Sequence, residues 1–160
     1  MSKFIFSFGD KKTKKILNSR NILGGKGANL AEMARLGLPV PPGFTISTKM
    51  CEIFYSSNKK LSQKMCSEIK KELKKIEIKT KKRFGDTKNP LLISVRSGSR
   101  VSMPGMMDTI LNLGLNDKTV EALSKKTSNE RFAKDSYRRF IQMYANVVLG
   151  IESYLFEEMI

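Results

Sequence analysis

Three short stretches of this chain bring together residue types that handle phosphate. The first is Gly24-Gly25-Lys26-Gly27. Glycines let a backbone come close to a ligand, and a helix beginning just after them offers free N–H groups and the positive end of its dipole. Lys26 adds a point charge. The spacing is not that of the P-loop, where Gly-Lys is followed by Ser or Thr; here Gly27 follows. A plain glycine turn with an exposed lysine would read the same. The second stretch is Ser94-Val95-Arg96-Ser97-Gly98, with an arginine at the carboxyl end of an apolar run. Ligands of α/β sheets gather at such edges, and a guanidinium fork matches phosphate oxygens, although a salt bridge to a nearby carboxylate is the commoner use. The third runs from Ser102 to Thr109, with Met103, Met106 and Met107 around Pro104-Gly105. Methionines adapt their packing, so such a loop suits closure over a flat apolar group such as a purine; the alternative is a loop that tucks them into the core.

What is absent narrows the chemistry further. The chain has no histidine, so imidazole cannot serve here as base, nucleophile or phosphoryl carrier. Asp86 and Asp108 stand alone, and no acidic cluster of the kind that holds Mg²⁺ against phosphates is visible, so no metal ligands are expected within these residues. Cys51 and Cys66 form no CxxC pair. They are expected to be free thiols of a cytosolic protein, and a Cys/His zinc site is excluded.

The elements that must position these groups can be sketched from periodicity. Residues 3–8 alternate Phe4, Phe6 and Phe8 on one face of a short strand. The glycine stretch runs into a helix carrying Leu30, Met33 and Ala34, with Gly37 as its stop. Pro39, Pro41 and Pro42 enforce an extended connector before a strand at 44–47. Helices are expected over about 48–56 and 60–80, then a buried strand in Leu91-Leu92-Ile93-Ser94-Val95 and another at 109–113. Asn116 and Asn129 read as N-caps of helices over about 117–126 and 130–148. The second of these would bury Phe132, Phe140, Ile141, Tyr144, Val147 and Val148. Around Asp135, Arg138 and Arg139, surface ion pairs are the default expectation.

The 160 residues, 40% of them hydrophobic, suffice for a domain-sized core and exclude a wholly disordered chain. No apolar run reaches a membrane span, and the amino terminus does not open a secretory signal, so no membrane partner is expected. The net charge is +15, which raises the question of nucleic acid. Lys59 to Arg83 holds eleven basic and three acidic residues. Leu61, Met65, Ile69, Leu73 and Ile76 run through the same stretch at helical spacing, so its lysines cover the solvated faces of an amphipathic helix. It has no interleaved aromatics to stack on bases, and the expectation is no nucleic-acid partner.

At LGGKGANLAEMARLGLPVPPGFTIST, RFGDTKNPLLISVRSGSRVSMPGMMDTILNLGLND and RFAKDSYRRFIQMYANVV, the chain closely resembles the N-terminal region of the pyruvate phosphate dikinase family, in the same order and spacing nearly end to end. The related phosphoenolpyruvate synthases share the Gly-Gly-Lys and Val-Arg-Ser elements, but RSGSRVSMPGMMDT favours the dikinases. The resemblance implies an α+β fold: residues 1–115 as the first lobe of an ATP-grasp-like domain, a mixed sheet with flanking helices, and 116–160 as the start of a helical insertion. It implies an ATP-binding part of a phosphotransferase that interconverts ATP, phosphate and pyruvate with AMP, pyrophosphate and phosphoenolpyruvate. Lys26 and Arg96 would contact the ATP phosphates, and Gly105, Met107 and Thr109 would belong to the mobile loop over the nucleotide. The Mg²⁺ ligands, the acceptor histidine and the pyruvate site would lie outside this chain, in the remaining domains of a homodimeric parent, leaving the isolated chain inactive. Ser99, where the family commonly has alanine, and Lys134, where it commonly has an aromatic, are departures. A phosphoenolpyruvate synthase-like lobe and a non-enzymatic basic binding module are the alternatives.

Overall fold

The computed structural model describes residues 4–9, 18–98 and 109–158. They fall into two compact units, the first comprising 4–9, 18–80 and Gly98 and the second 81–97 and 109–158.

In the first unit, β1 (Ile5–Phe8) pairs antiparallel with β2 (Gly43–Ile46), with Ile5 opposite Ile46 and Phe8 opposite Gly43. A Cβ at Gly43 would stand 2.5 Å from Phe8 Cζ, so the ring occupies the space that only glycine leaves free. Helices α1 (Ser19–Arg35), α2 (Thr48–Ser56) and α3 (Gln63–Thr80) complete the unit. The core gathers Ile5, Met50 and Met65, with Phe4, Phe44, Ile53 and Ile69 packed against it. The fully buried position of β1 is Ile5, while Phe6 and Phe8, on the face expected to be the apolar one, are half-buried. Both faces of the pair are covered. Gly27 of α1 abuts Thr45 on one, and Ser7 on the other donates a hydrogen bond to Glu72 of α3 at 2.7 Å. Alternation alone cannot choose a buried face in such a strand. The expected stripe of α3 is present: Met65 and Ile76 are buried. Leu61 is exposed and precedes the helix.

In the second unit, β3 (Ile93–Arg96) pairs antiparallel with β4 (Thr109–Leu113). A bulge between Ile93 and Val95 is accommodated opposite by Asn112 at φ 57°. The expected mixed sheet is therefore two separate two-stranded antiparallel sheets among the described residues. Each ladder closes within its own unit, and one isolated parallel bridge, Arg83 with Pro90, accompanies them. The apolar run was also expected to be a buried strand. Leu91 is buried, but the strand itself starts at Ile93, and Ser94, Val95 and Arg96 are exposed.

Two further helices, α4 (Asp117–Thr127) and α5 (Glu130–Leu149), pack on one another, and α5 packs on β4. Both expected caps form. Asn116 Oδ1 accepts from the backbone N–H groups of Lys118 and Thr119, each at 2.9 Å, and Asn129 Oδ1 accepts from Phe132 N–H at 2.9 Å. Thr119 is fully buried; its hydroxyl donates to the Gly114 carbonyl at 2.9 Å and accepts from Asn116 N–H at 2.8 Å. Gly150, at φ 69°, ends α5, and a single turn, α6 (Tyr154–Glu157), follows. One expectation for α5 fails: Phe132, Ile141, Tyr144 and Val148 are exposed rather than in the core.

Candidate functional site

Lys26 owes its setting to a break in α1. Gly24 has φ 71° and ψ 170°, outside the helical region, so the helix that ends at Leu23 restarts at Gly25. Only glycine adopts such a conformation at little cost. A helix that restarts there carries Gly25, Lys26 and Gly27 in its first turn, where backbone N–H groups lack intrahelical acceptors. The flanking glycines do different things. A Cβ on Gly25 would meet nothing within 4 Å, which leaves the backbone open to a close approach. A Cβ on Gly27 would fall 2.8 Å from Thr45 Cγ2 and 2.9 Å from its Oγ1, so glycine is what allows α1 to lie against β2. The turn before the break is pinned by buried Leu23 and by the Thr48 hydroxyl, which donates to the Asn21 carbonyl at 2.6 Å. Gly98 joins this surrounding, since a Cβ there would stand 3.6 Å from the Leu23 carbonyl oxygen.

Arg96 is the last residue of β3 and exposed; Thr109 is the first of β4 and half-buried. Their Cα atoms are direct partners in the ladder. Opposed residues project to the same face of a sheet, so the structure brings these two expected site residues together at the end of the strand pair. No ion pair or side-chain hydrogen bond of Lys26, Arg96 or Thr109 is found among the described residues. The carboxylate partner that would have been the ordinary explanation of Arg96 is thus not among them. Lys26 belongs to the first unit, Arg96 and Thr109 to the second. Gly105 and Met107 lie outside the described residues, as does Ser99.

Within the first unit the Lys26 ammonium and the first-turn N–H groups, and within the second the Arg96 guanidinium beside the Thr109 hydroxyl, are donors that suit anions. Among the described residues no three or more His, Cys, Asp or Glu side chains gather as a metal site would need. Asp86 is committed elsewhere. Its Oδ1 accepts from Lys88 N–H at 2.6 Å and Asn89 N–H at 3.0 Å, and these two bonds hold its carboxyl below the usual range. Among the described residues, therefore, no ligand set for Mg²⁺ is assembled, and Asp108 lies outside them. Cys51 and Cys66 are free thiols.

A family model described as the AMP/ATP-binding domain of pyruvate phosphate dikinase matches residues 20–65 and 58–146. The chain belongs to that family. It is 52% identical over 160 residues to the pyruvate, phosphate dikinase of Clostridium symbiosum, covering all of this chain and 18% of that protein. It is 52% identical over 158 residues to the dikinase of Rickettsia conorii, covering 99% of the chain and 18% of that protein. The dikinase of Rhizobium meliloti is 50% identical over 160 residues, again with 18% of its length covered. The chain thus spans about 18% of the length of these dikinases. All five residues expected at the site fall within the matched span. What the sequence did not disclose is how this dikinase-family segment seats them. The contact of Gly27 with Thr45 and the pairing of Arg96 with Thr109 join residues 18 and 13 positions apart, and no local pattern announces either. Lys134, a departure from the family pattern, is a surface residue, ion-paired at 2.7 Å with Glu130 one helical turn away.

Proposed function

We propose that the chain is the first ATP-binding lobe of a pyruvate phosphate dikinase, with residues 1–115 forming an ATP-grasp-like lobe and 116–160 the start of a helical segment. The observation that carries this reading is the break at Gly24, which sets Lys26 and open backbone in the first turn of a restarted helix. Lys26 and the first-turn N–H groups take oxygens of the triphosphate. Arg96 takes further oxygens, with the Thr109 hydroxyl beside it as a donor. On the family pattern Gly105 and Met107 belong to the loop that covers the nucleotide and excludes water. Phosphoryl transfer is largely positioning and charge stabilisation, so two cations and a row of N–H groups are the contribution this chain can make.

The remaining parts of the dikinase supply the metal ligands, the histidine that accepts the β-phosphoryl and the pyruvate site. The whole cytosolic protein, as a homodimer, then interconverts ATP, phosphate and pyruvate with AMP, pyrophosphate and phosphoenolpyruvate. Thermal melting of the 160-residue chain with increasing ATP tests the lobe. A bound ligand raises Tm in proportion to the logarithm of its concentration over Kd, so ATP is expected to raise it and Lys26→Ala to abolish the rise. An ATP response that survives Lys26→Ala unchanged, or no response at any concentration, contradicts the assignment.

A further inference from the structure

The contact that seats α1 on β2 engages two different atoms of Thr45. A Cβ on Gly27 would lie 2.8 Å from Thr45 Cγ2, 2.9 Å from its Oγ1 and 3.1 Å from Leu23 Cβ. The methyl accounts for the packing, and a valine would supply it equally well. The hydroxyl is left over. Thr45 is half-buried and stands directly opposite Phe6 in the ladder, an apolar neighbour on the same face. No hydrogen bond of its hydroxyl is found among the described residues. A half-buried hydroxyl without a partner carries a cost that a bound ligand removes.

Its position points to the ligand. The Cα–Cβ bonds of a helix tilt towards the amino end, so the place a Gly27 Cβ would take leans towards the open N–H groups of the restarted first turn. The residue positioned to cap that turn with a side-chain oxygen is Gly24, which has no side chain. Thr45 therefore sets a hydroxyl beside an uncapped, anion-binding turn, on a branched side chain with few rotamers. Lys26, Gly27 and Thr45 all belong to the first unit. We propose that Thr45 is a further phosphate-binding residue: its hydroxyl donates a hydrogen bond to an oxygen of the polyphosphate that Lys26 and the first-turn N–H groups hold. The inference rests on the lobe reading above and adds a neutral donor to its two cations.

Two substitutions and two probes test it through melting of the 160-residue chain. Thr45→Val keeps the shape and removes the hydroxyl; Thr45→Ser keeps the hydroxyl and removes the methyl. Without ligand, Thr45→Val is expected to melt no lower than the unaltered chain. It is expected to need about 10- to 100-fold more ATP for the same rise in Tm, the range for one hydrogen bond to a charged group. Thr45→Ser is expected to respond to ATP as the unaltered chain does. Inorganic tripolyphosphate in place of ATP is expected to rank the three proteins in the same order. An undiminished ATP response in Thr45→Val overturns the proposal. Equal losses in Thr45→Val and Thr45→Ser also overturn it, because they assign the effect to packing. So does a Thr45→Val that melts lower without ligand, since the hydroxyl then belongs to the fold. A response of the unaltered chain to tripolyphosphate but not to ATP contradicts the lobe reading alone, and the two variants then decide Thr45 on tripolyphosphate. Silence with both probes overturns both.

Discussion

A methyl group added at Gly25 and one added at Gly27 should have opposite consequences, although the two glycines sit on either side of the same lysine. At Gly27 the new carbon would press on Thr45 at under 3 Å, so Gly27→Ala is expected to cost about 1–3 kcal/mol, the range for overpacking. At Gly25 nothing stands within 4 Å. Alanine there should leave stability unchanged or raise it by about 0.5–1 kcal/mol, while narrowing the approach to the backbone and weakening the ATP-dependent shift. Melting curves of both variants, with and without ATP, separate packing from binding. Arg96→Ala in the whole dikinase should slow turnover by about 10²–10³, the loss for one transition-state contact; steady-state rates of phosphoenolpyruvate formation check it. Asp86 offers a pH prediction. Because the N–H groups of Lys88 and Asn89 depress its folded pKa, it contributes stability that is present above its unfolded value of about 4 and lost as the pH falls through the lower folded value. Asp86→Asn should therefore melt lower at neutral pH and lose less on acidification than the unaltered chain.

Helices and their ends were the most legible elements. Asn116 and Asn129 could be recognised as caps because the determinant is one side chain and the next three residues. Asn116→Ala should cost about 1–2 kcal/mol, since its amide oxygen holds two N–H groups and Thr119 answers its own, and Asn129→Ala about 0.5–1, with a single bond lost. Urea denaturation of both variants gives the comparison. Strands were readable as apolar stretches but not as pairs. The partner of Arg96 is decided by a bulge at Asn112, whose left-handed backbone is a property of the assembled hairpin. The α5 helix shows the reverse difficulty. Its apolar residues look like core in sequence, and half of them face outwards because the surface they suit is not supplied by α4 or β4.

For the whole molecule the informative features are the absent histidine and the share of the relatives' length that is matched. On the proposed reading, ATP, phosphate and pyruvate added to the purified chain should yield no phosphoenolpyruvate, and a coupled lactate dehydrogenase assay for the opposite reaction, started from AMP, pyrophosphate and phosphoenolpyruvate, should stay flat. Among the described residues no helix is long and apolar enough to cross a membrane. The excess positive charge follows the outward side of α3. Lys74 and Lys75 pair there with Glu77 and Glu72 at 3.2 and 2.6 Å, and Lys70 and Lys71 face solvent. The seat of Phe8 on Gly43 bears on how the chain finds this form. A ring that fits only over a missing side chain gives the first strand a single alignment, because a slip of one place would bring it against Phe44 or Pro42 instead. Residues 5–8, which leave the ribosome before residue 43, accordingly have no berth until that glycine has followed them out.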